Sequence, residues 1–211
     1  MEATLTRIAF LLITTSLVGA AGRAPTNRHV AYPRAAKGVG YIVSSCHSTL
    51  FPKLCYRSLS AYATRIRANP NLLIHTALTI THRAAVSADL TVRRMSKTRG
   101  LRPIEAAAMR DCGEQMGDSL DELAKSVGEM GHVVRHGGFI DWRHASDIQT
   151  WVSAALTDAS TCLDGLDQAR MRLGVKSVVG RHVVRISRLA SNVLALMHNY
   201  GPANVGRLHA P

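Results

Sequence analysis

Aromatic side chains are scarce in this chain, where Phe, Trp and Tyr together make up only 5% of 211 residues. Alanine, valine and leucine supply most of the 46% hydrophobic content instead. Small aliphatic residues pack closely between helices, whereas strands favour aromatic and β-branched side chains. The composition therefore predicts an all-α protein, and the length suits one ordinary domain with flanking segments.

Acidic residues are missing from both ends of the chain. After Glu2 none occurs before Asp89, and none follows Asp167, although basic residues occur throughout both regions. The net charge is +12, yet the segment between Asp89 and Asp167 is mildly acidic. This distribution predicts a basic molecule that adheres to polyanions and has a separate acidic face for a more specific contact. Nucleic acid is not the expected partner, because no aromatic residues are interleaved with the basic patches.

The chain also lacks a hydrophobic run of the roughly 20 residues needed to span a bilayer. Its longest apolar run, from Ile8 to Val18, is followed by small residues. That pattern is typical of a secretory signal peptide, which we predict over residues 1–22, so the mature protein is expected to be exported without a membrane anchor. Residues 23–40 have prolines, glycines and no apolar periodicity, and are predicted to form a flexible basic lead-in.

Sequence motifs of catalysis are absent as well. There is no Gly-x-Gly-x-x-Gly motif, no phosphate-binding loop and no serine, histidine and aspartate in a strand–turn–helix context. His132, His136 and His144 are near one another and could in principle hold zinc, but no patterned cysteine or carboxylate accompanies them in a glycine-rich stretch predicted to be a loop. We therefore expect no metal, no cofactor and no enzymatic activity.

Four amphipathic helices account for the chain beyond residue 70. Apolar residues recur there at spacings of three and four, which places each set on one helix face. The predicted faces are Leu73, Ala77, Ile80, Ala84, Ala88, Val92 and Met95; Ile104, Ala108, Cys112, Met116, Leu120, Leu123, Val127 and Met130; Ile148, Val152, Ala155, Ala159, Cys162 and Leu166; and Val179, Val183, Ile186, Ala190, Val193 and Met197. Gly100 ends the first helix, and Gly131, Gly137 and Gly138 mark a loop after the second. Each face must be buried against the others, so we predict an up-down-up-down four-helix bundle within a domain at 41–200, followed by a tail at 201–211.

Four cysteines in an exported chain predict two disulfides, for which three pairings are formally possible. Cys112 and Cys162 lie on the apolar faces of two different helices, so both point into the bundle and can meet there. Cys46 and Cys55 are near neighbours in a segment through which Pro52 prevents a continuous helix. We predict the pairs Cys46–Cys55 and Cys112–Cys162, which leave no free cysteine.

Three motifs are distinctive in combination. They are Cys-His-Ser-Thr-Leu-Phe-Pro-Lys-Leu-Cys at 46–55 followed by Ser58 and Leu59; Trp-Val-Ser-Ala-Ala-Leu-Thr at 151–157 followed by Thr161, Cys162, Asp164 and Gly165; and Ser-Asn-Val-Leu-Ala-Leu at 191–196. Together with Cys112, they resemble the signatures of a plant family, the secreted inhibitors of pectin methylesterase and of invertase. The resemblance implies a four-helix bundle with a disulfide-tied helical hairpin at its amino end.

This resemblance also implies a function, namely stoichiometric inhibition in which one inhibitor covers the substrate cleft of one enzyme. In the branch that inhibits pectin methylesterase, acidic and polar side chains beside the third and fourth cysteines face the enzyme. By distance from those cysteines, the matching positions are Glu114, Asp118, Asp121, Thr161 and Asp164. We expect these five residues to bind the partner. Considered without the family, the same carboxylates would be interpreted as a solvated helix face.

Invertase is the alternative target. The invertase branch typically has a Pro-Lys-Phe stretch, whereas the only Pro-Lys here, Pro52-Lys53, is followed by Leu54. We therefore expect a pectin methylesterase inhibitor secreted to the apoplast and cell wall of a plant, monomeric until it forms its complex. A secreted helical bundle that inhibits no enzyme is the second alternative. The basic flanks, residues 23–37 and the carboxy-terminal bases, further predict electrostatic association with acidic pectin.

Overall fold

The structure, a computed structural model, describes residues 34–138 and 140–200. The predicted signal peptide at 1–22, the lead-in up to residue 33 and the tail at 201–211 lie outside the described residues. The helices are α1 (Arg34–His47), α2 (Pro52–Leu59), α3 (Ala63–Ile66), α4 (Pro70–Met95), α5 (Pro103–His136), α6 (Trp142–Gln168) and α7 (Leu173–Tyr200), with a 3-10 turn at Ser60–Tyr62. Within the described ranges there is no strand, which confirms the all-α prediction. None of these helices is long and apolar enough to cross a membrane.

The four longest helices, α4 to α7, form the predicted bundle. Each helix packs against the next, and α7 packs against α4, so that the α4–α7 seam and the α5–α6 seam lie on opposite sides. Short connections join consecutive helices, which therefore run antiparallel. The apolar faces predicted for α6 and α7, from Ile148 to Leu166 and from Val179 to Met197, are buried at every position.

The buried faces of α4 and α5 differ from the prediction in detail. Thr81, Ser119 and Ser126 are fully buried although they carry hydroxyls, whereas Ile104, predicted to be buried, is 56% exposed. Each hydroxyl donates to a main-chain carbonyl, that of Ala77 for Thr81, Ala155 of α6 for Ser119 and Glu122 for Ser126. A hydrogen bond offsets most of the cost of burying a hydroxyl, so these residues serve as core residues that a hydrophobic pattern does not detect.

Helix α5 is longer than predicted. Gly131, predicted to lie in a loop, is inside the helix, which continues to His136 and ends where Gly137 adopts a φ of 65°. A Cβ atom at Gly131 would lie 3.3 Å from Nη1 of Arg135 and 3.7 Å from Nε2 of His75. The missing side chain therefore makes room for packing between α4 and α5, and it does not break the helix.

The predicted flexible lead-in is wrong for residues 34–40, because α1 begins at Arg34. Gly38, one of the glycines that suggested a loop, has a different role. A Cβ atom at Gly38 would collide with the main-chain oxygen of Ala63, so only glycine allows α1 to approach the start of α3 this closely. The predicted domain boundary at residue 41 consequently falls inside a helix.

Helices α1 and α2 form the disulfide-tied hairpin. The Cys46–Cys55 disulfide joins them, and Pro52 is the first residue of α2, where a missing N–H costs no helical hydrogen bond. Asn192 of α7 is 3% exposed and binds the main chain of Phe51 twice. Its side-chain oxygen accepts from the Phe51 N–H at 2.9 Å, and its side-chain nitrogen donates to the Phe51 carbonyl at 3.1 Å. These two bonds attach the hairpin to the last helix of the bundle.

One buried carboxylate joins two loops at one end of the bundle. Glu105, in the first turn of α5, is 1% exposed and accepts from the main-chain N–H groups of Arg102 at 2.8 Å and Arg172 at 2.9 Å. The Arg172 guanidinium donates to it at 3.0 Å, while Arg102 donates to the carbonyls of Ala169 and Arg170 between α6 and α7. The Arg172 guanidinium and the other donors hold the pKa of the Glu105 carboxyl well below its usual range.

Candidate partner-binding surface

The five residues predicted to bind a partner are all exposed, and all lie on α5 or α6, beside the seam between these helices. Both predicted disulfides are present, and the one between Cys112 and Cys162 crosslinks the seam with its Cα atoms 4.4 Å apart. The residues that neighbour these cysteines are therefore at similar heights on two antiparallel helices. Along the helix axis the set extends over about 16 Å. We call this set, Glu114, Asp118, Asp121, Thr161 and Asp164, the acidic surface.

The acidic surface contains carboxylates that have no internal counter-ion. In the described ranges, 34–138 and 140–200, none of the four acids of the set forms a salt bridge. The hydroxyl of Thr161 donates to the carbonyl of Thr157 at 3.0 Å, which leaves its oxygen free to accept a hydrogen bond. Unpaired carboxylates on neighbouring helices produce a negative potential that attracts a basic partner. The surface is thus suited to polar contacts with a cationic protein face.

Two acidic residues that the sequence spacing did not reveal extend this surface. Asp158 of α6 faces Asp118 and Glu122 of α5 across the seam, and partial burial, followed by repulsion from these two carboxylates, raises the pKa of Asp158. Lys125 partly neutralises Glu122 through an ion pair of 3.0 Å. The available signal was that Asp158 precedes Cys162 by one helical turn, which places it near the crosslink.

The seam beneath the acidic surface is fixed by two kinds of interaction. The Cys112–Cys162 disulfide joins the helices covalently, and Ser119 of α5 donates a buried hydrogen bond of 3.1 Å to the carbonyl of Ala155 on α6. Side chains on such a crosslinked helix pair are already positioned before a partner arrives. Binding then requires little ordering of the main chain, which reduces its entropic cost.

The three histidines considered as zinc ligands lie at the opposite end of α5 from Glu105. His132 and His136 are on the last turns of α5, where their rings stack with centroids 6.3 Å apart, and are therefore not in a loop. Both ring nitrogens of His144 face carboxylates, Nδ1 at 2.6 Å from Asp141 and Nε2 at 3.4 Å from Glu129. Among the described residues, no group of three or more candidate ligands has a geometry that could hold a metal ion.

Solved structures with a similar fold include an inhibitor. A mutant form of a pectin methylesterase inhibitor from Arabidopsis superposes on this chain with a TM-score of 0.59 at 23% sequence identity, covering 72% of this chain and 92% of that one. At this level of identity the match supports the fold alone. It agrees with the helical bundle described above.

Sequence relatives extend the match beyond the fold. The chain is 42% identical over 160 residues to pectinesterase inhibitor 10 of Arabidopsis thaliana, which covers 76% of this chain and 51% of that protein, so the chain spans about half the length of this relative. It is also 42% identical over 175 residues to pectinesterase inhibitor 9 of the same plant, covering 81% of this chain and 85% of the relative. The sequence profile of plant invertase/pectin methylesterase inhibitors matches residues 40–196. On this evidence the chain belongs to the plant invertase/pectin methylesterase inhibitor family.

Proposed function

We propose that the protein is a secreted inhibitor of pectin methylesterase, which forms a one-to-one complex and covers the pectin-binding cleft of the enzyme. The observation that carries the proposal is the acidic surface, whose five residues occupy the positions that the family resemblance assigns to the contact with the enzyme. Relatives that are named pectinesterase inhibitors support the same target. By blocking the cleft, the inhibitor would control the degree of methylesterification of cell-wall pectin.

Inhibition of this kind needs no chemistry from the inhibitor. The helix pair α5–α6 acts as a rigid body that excludes the polymer, and the carboxylates set the orientation of the complex. Complementary charges mainly accelerate association and exclude wrong partners, while close contacts at the centre determine the dissociation rate. The protein is accordingly proposed to be an inhibitor without catalytic residues of its own.

The test is a titration of the oxidised mature protein against a panel of plant pectin methylesterases. We expect activity to fall in a saturating manner and to be lost near equimolar inhibitor. Asp118→Lys and Asp121→Lys should each weaken inhibition by about tenfold or more, because each reverses a charge at the contact. Circular dichroism and melting should be unchanged, since both residues are exposed.

Asp147→Lys is the matched control for these variants. Asp147 is also exposed on α6, forms no salt bridge with any described residue and lies beyond the acidic surface toward the start of the helix. The control introduces the same change of charge and should inhibit like the original protein. Full inhibition by the Asp118 and Asp121 variants would remove those residues from the interface. An equal loss in the control would show that net charge, and not position, matters.

The same titration separates the two alternatives. Cell-wall and vacuolar invertases are assayed in parallel, and loss of invertase activity alone would make invertase the target. Pro52-Lys53-Leu54 argues against that outcome, since it lacks the phenylalanine of the invertase branch. If neither enzyme is inhibited although both disulfides are verified, the protein is a bundle that retained the fold without the inhibitory function.

Two further parts of the proposal concern location. The signal-like sequence at 1–22 and the two disulfides support secretion to the apoplast, which a fluorescent fusion would test in plant tissue. The basic flanks, residues 23–37 and the carboxy-terminal bases, support electrostatic association with acidic pectin. Binding to polygalacturonate should then weaken as salt increases, and salt-independent binding would contradict this association.

A further inference from the structure

A groove of about 550 Å³ lies on the side of the bundle opposite the acidic surface. It runs where α2 packs over the seam between α4 and α7. Its charged and aromatic lining consists of Arg57 from α2, Tyr62 from the 3-10 turn, Arg83 from α4, and His182 and Arg185 from α7. No acidic residue lines it. We call this site the basic groove.

The arginines of the basic groove have no internal partners. Arg57, Arg83 and Arg185 are exposed, and within residues 34–138 and 140–200 none of them forms a salt bridge. Elsewhere the protein does pair its arginines, as Arg93 with Asp89 and Arg172 with Glu105 show. Three helices therefore bring unpaired guanidinium groups to one concave site, where their charges repel one another until an anion binds.

The lining indicates the chemical class of that anion. Guanidinium groups bind carboxylates through two parallel hydrogen bonds, and they suit carboxylate recognition better than lysine does. Tyr62, half-buried, adds an apolar ring with a hydroxyl at its tip, and exposed Ser87, whose hydroxyl lies 3.3 Å from Nδ1 of His182, adds another hydroxyl. Carboxylates along a chain of hydroxyl-rich rings match this combination better than a lipid surface, which would not enter a groove.

We propose that the basic groove binds demethylesterified polyuronide, the polymer produced by the enzyme that the acidic surface inhibits. The identity of the polymer rests on the proposed function, because hydrolysis of each methyl ester releases methanol and leaves one carboxylate on the chain. The methyl ester is uncharged, so the groove distinguishes the product from the substrate. The two seams lie on opposite sides, so one inhibitor can hold the product while its other side covers an enzyme. Inhibition is thereby concentrated where demethylesterification has already occurred.

Direct binding to polygalacturonate tests the proposal without any enzyme. The oxidised mature protein is titrated with polygalacturonate and, separately, with highly methylesterified pectin of the same length. We expect binding to the first, at least about tenfold weaker binding to the second, and a decrease with salt. Arg57→Gln, Arg83→Gln and Arg185→Gln combined should weaken polygalacturonate binding by about tenfold, as loss of three exposed ion pairs implies.

A matched variant removes three charges from another exposed site, through Arg94→Gln, Lys97→Gln and Arg99→Gln near the end of α4. Both triple variants have the same net charge, so they differ only in where the charge was removed. If position matters, the matched variant should bind polygalacturonate within about twofold of the original protein, because its three charges lie outside the groove and are screened by salt. Equal losses in the two triple variants would overturn the proposal, as would an unchanged affinity in the groove variant. If binding is lost only when residues 23–33 are deleted, the polymer binds the basic amino-terminal flank and not the groove, which would also overturn the proposal. Tighter binding to anionic lipid vesicles would also overturn it.

Esterase inhibition provides the second readout. The groove variant should inhibit pectin methylesterase as the original protein does when assayed on a short soluble substrate, because α5 and α6 are unchanged. Polygalacturonate binding without inhibition would contradict the proposed function, but it would still support polymer binding in the basic groove. Inhibition without polygalacturonate binding would contradict the groove alone, so the two failures are distinguishable.

Discussion

Removing the disulfide between α5 and α6 tests how much of the stability depends on a crosslink that also supports the acidic surface. We consider Cys112→Ala with Cys162→Ala, and compare it with Cys46→Ala and Cys55→Ala. Both disulfides are buried, so the comparison changes the same kind of atoms in similar surroundings. The two crosslinks differ in the length of chain they close, with sequence separations of 50 for Cys112–Cys162 and 9 for Cys46–Cys55.

The chain-entropy model converts these lengths into free energies of unfolding. For the long loop it gives about 4 kcal/mol, and for the short loop about 2.5 kcal/mol. In a domain of this size, 1 kcal/mol changes the melting temperature by about 2–4 °C. We therefore expect the long-loop variant to melt about 8–16 °C lower than the original protein, and the short-loop variant about 5–10 °C lower.

Urea unfolding, followed by circular dichroism, measures both the stability and the origin of its loss. If the crosslink acts on the unfolded chain, its removal lets that chain expand and expose more surface, so the slope of free energy against urea should increase. A loss caused by a cavity in the folded protein would leave the slope unchanged. Equal losses for the two variants, or a long-loop loss below about 2 kcal/mol, would refute the reasoning from loop length.

Two further predictions concern polar groups. Asn192→Leu should lower the free energy of unfolding by about 1–3 kcal/mol in urea titrations, since it removes both hydrogen bonds to Phe51; a neutral effect would show that water replaces them. Glu105→Gln should make melting less sensitive to acid between pH 7 and 3. The pKa of Glu105 is depressed in the folded protein, so its stabilisation is present above about pH 4.3, the unfolded value, and is lost as the pH falls. If the melting temperatures of the variant and the original protein fell in parallel as the pH was lowered, Glu105 would not be the source of this acid sensitivity.

The sequence pattern predicted some helices better than others for a physical reason. On α6 and α7 every predicted face position is an apolar residue that is buried. On α4 and α5, part of the core consists of hydroxyl residues such as Thr81 and Ser119, which satisfy their hydrogen bonds on helix carbonyls. A hydrophobic pattern counts these residues as polar, so the face predicted to be buried on each of the two helices differs from the face that is buried in the structure. The first half of α1, residues 34–40, was missed because Gly38 looks like a helix breaker when the neighbouring main chain is unknown.

The acidic surface could be predicted only in part. The family resemblance, carried over by distance from the cysteines, selected Glu114, Asp118 and Asp121, and the spacings of three and four only place them on neighbouring rows of one helix. The proximity of Asp158 to Asp118 depends on how two helices are aligned, and no local spacing contains that information. The basic groove could not be predicted from the sequence for the same reason, since its arginines come from three helices, α2, α4 and α7.

The attachment of the hairpin to α7 sets an order of events during synthesis. Phe51 and Asn192 are separated by 141 positions, whereas the cysteines of the hairpin are 9 apart. At about 5–20 residues per second, α7 is completed roughly 7–28 s after the hairpin has been made. The hairpin disulfide can therefore close before its docking site exists. During that interval Ile42 and Leu59, both buried in the finished protein, have no bundle to cover them. The apolar surface of the hairpin therefore stays without the completed bundle until the last helix emerges.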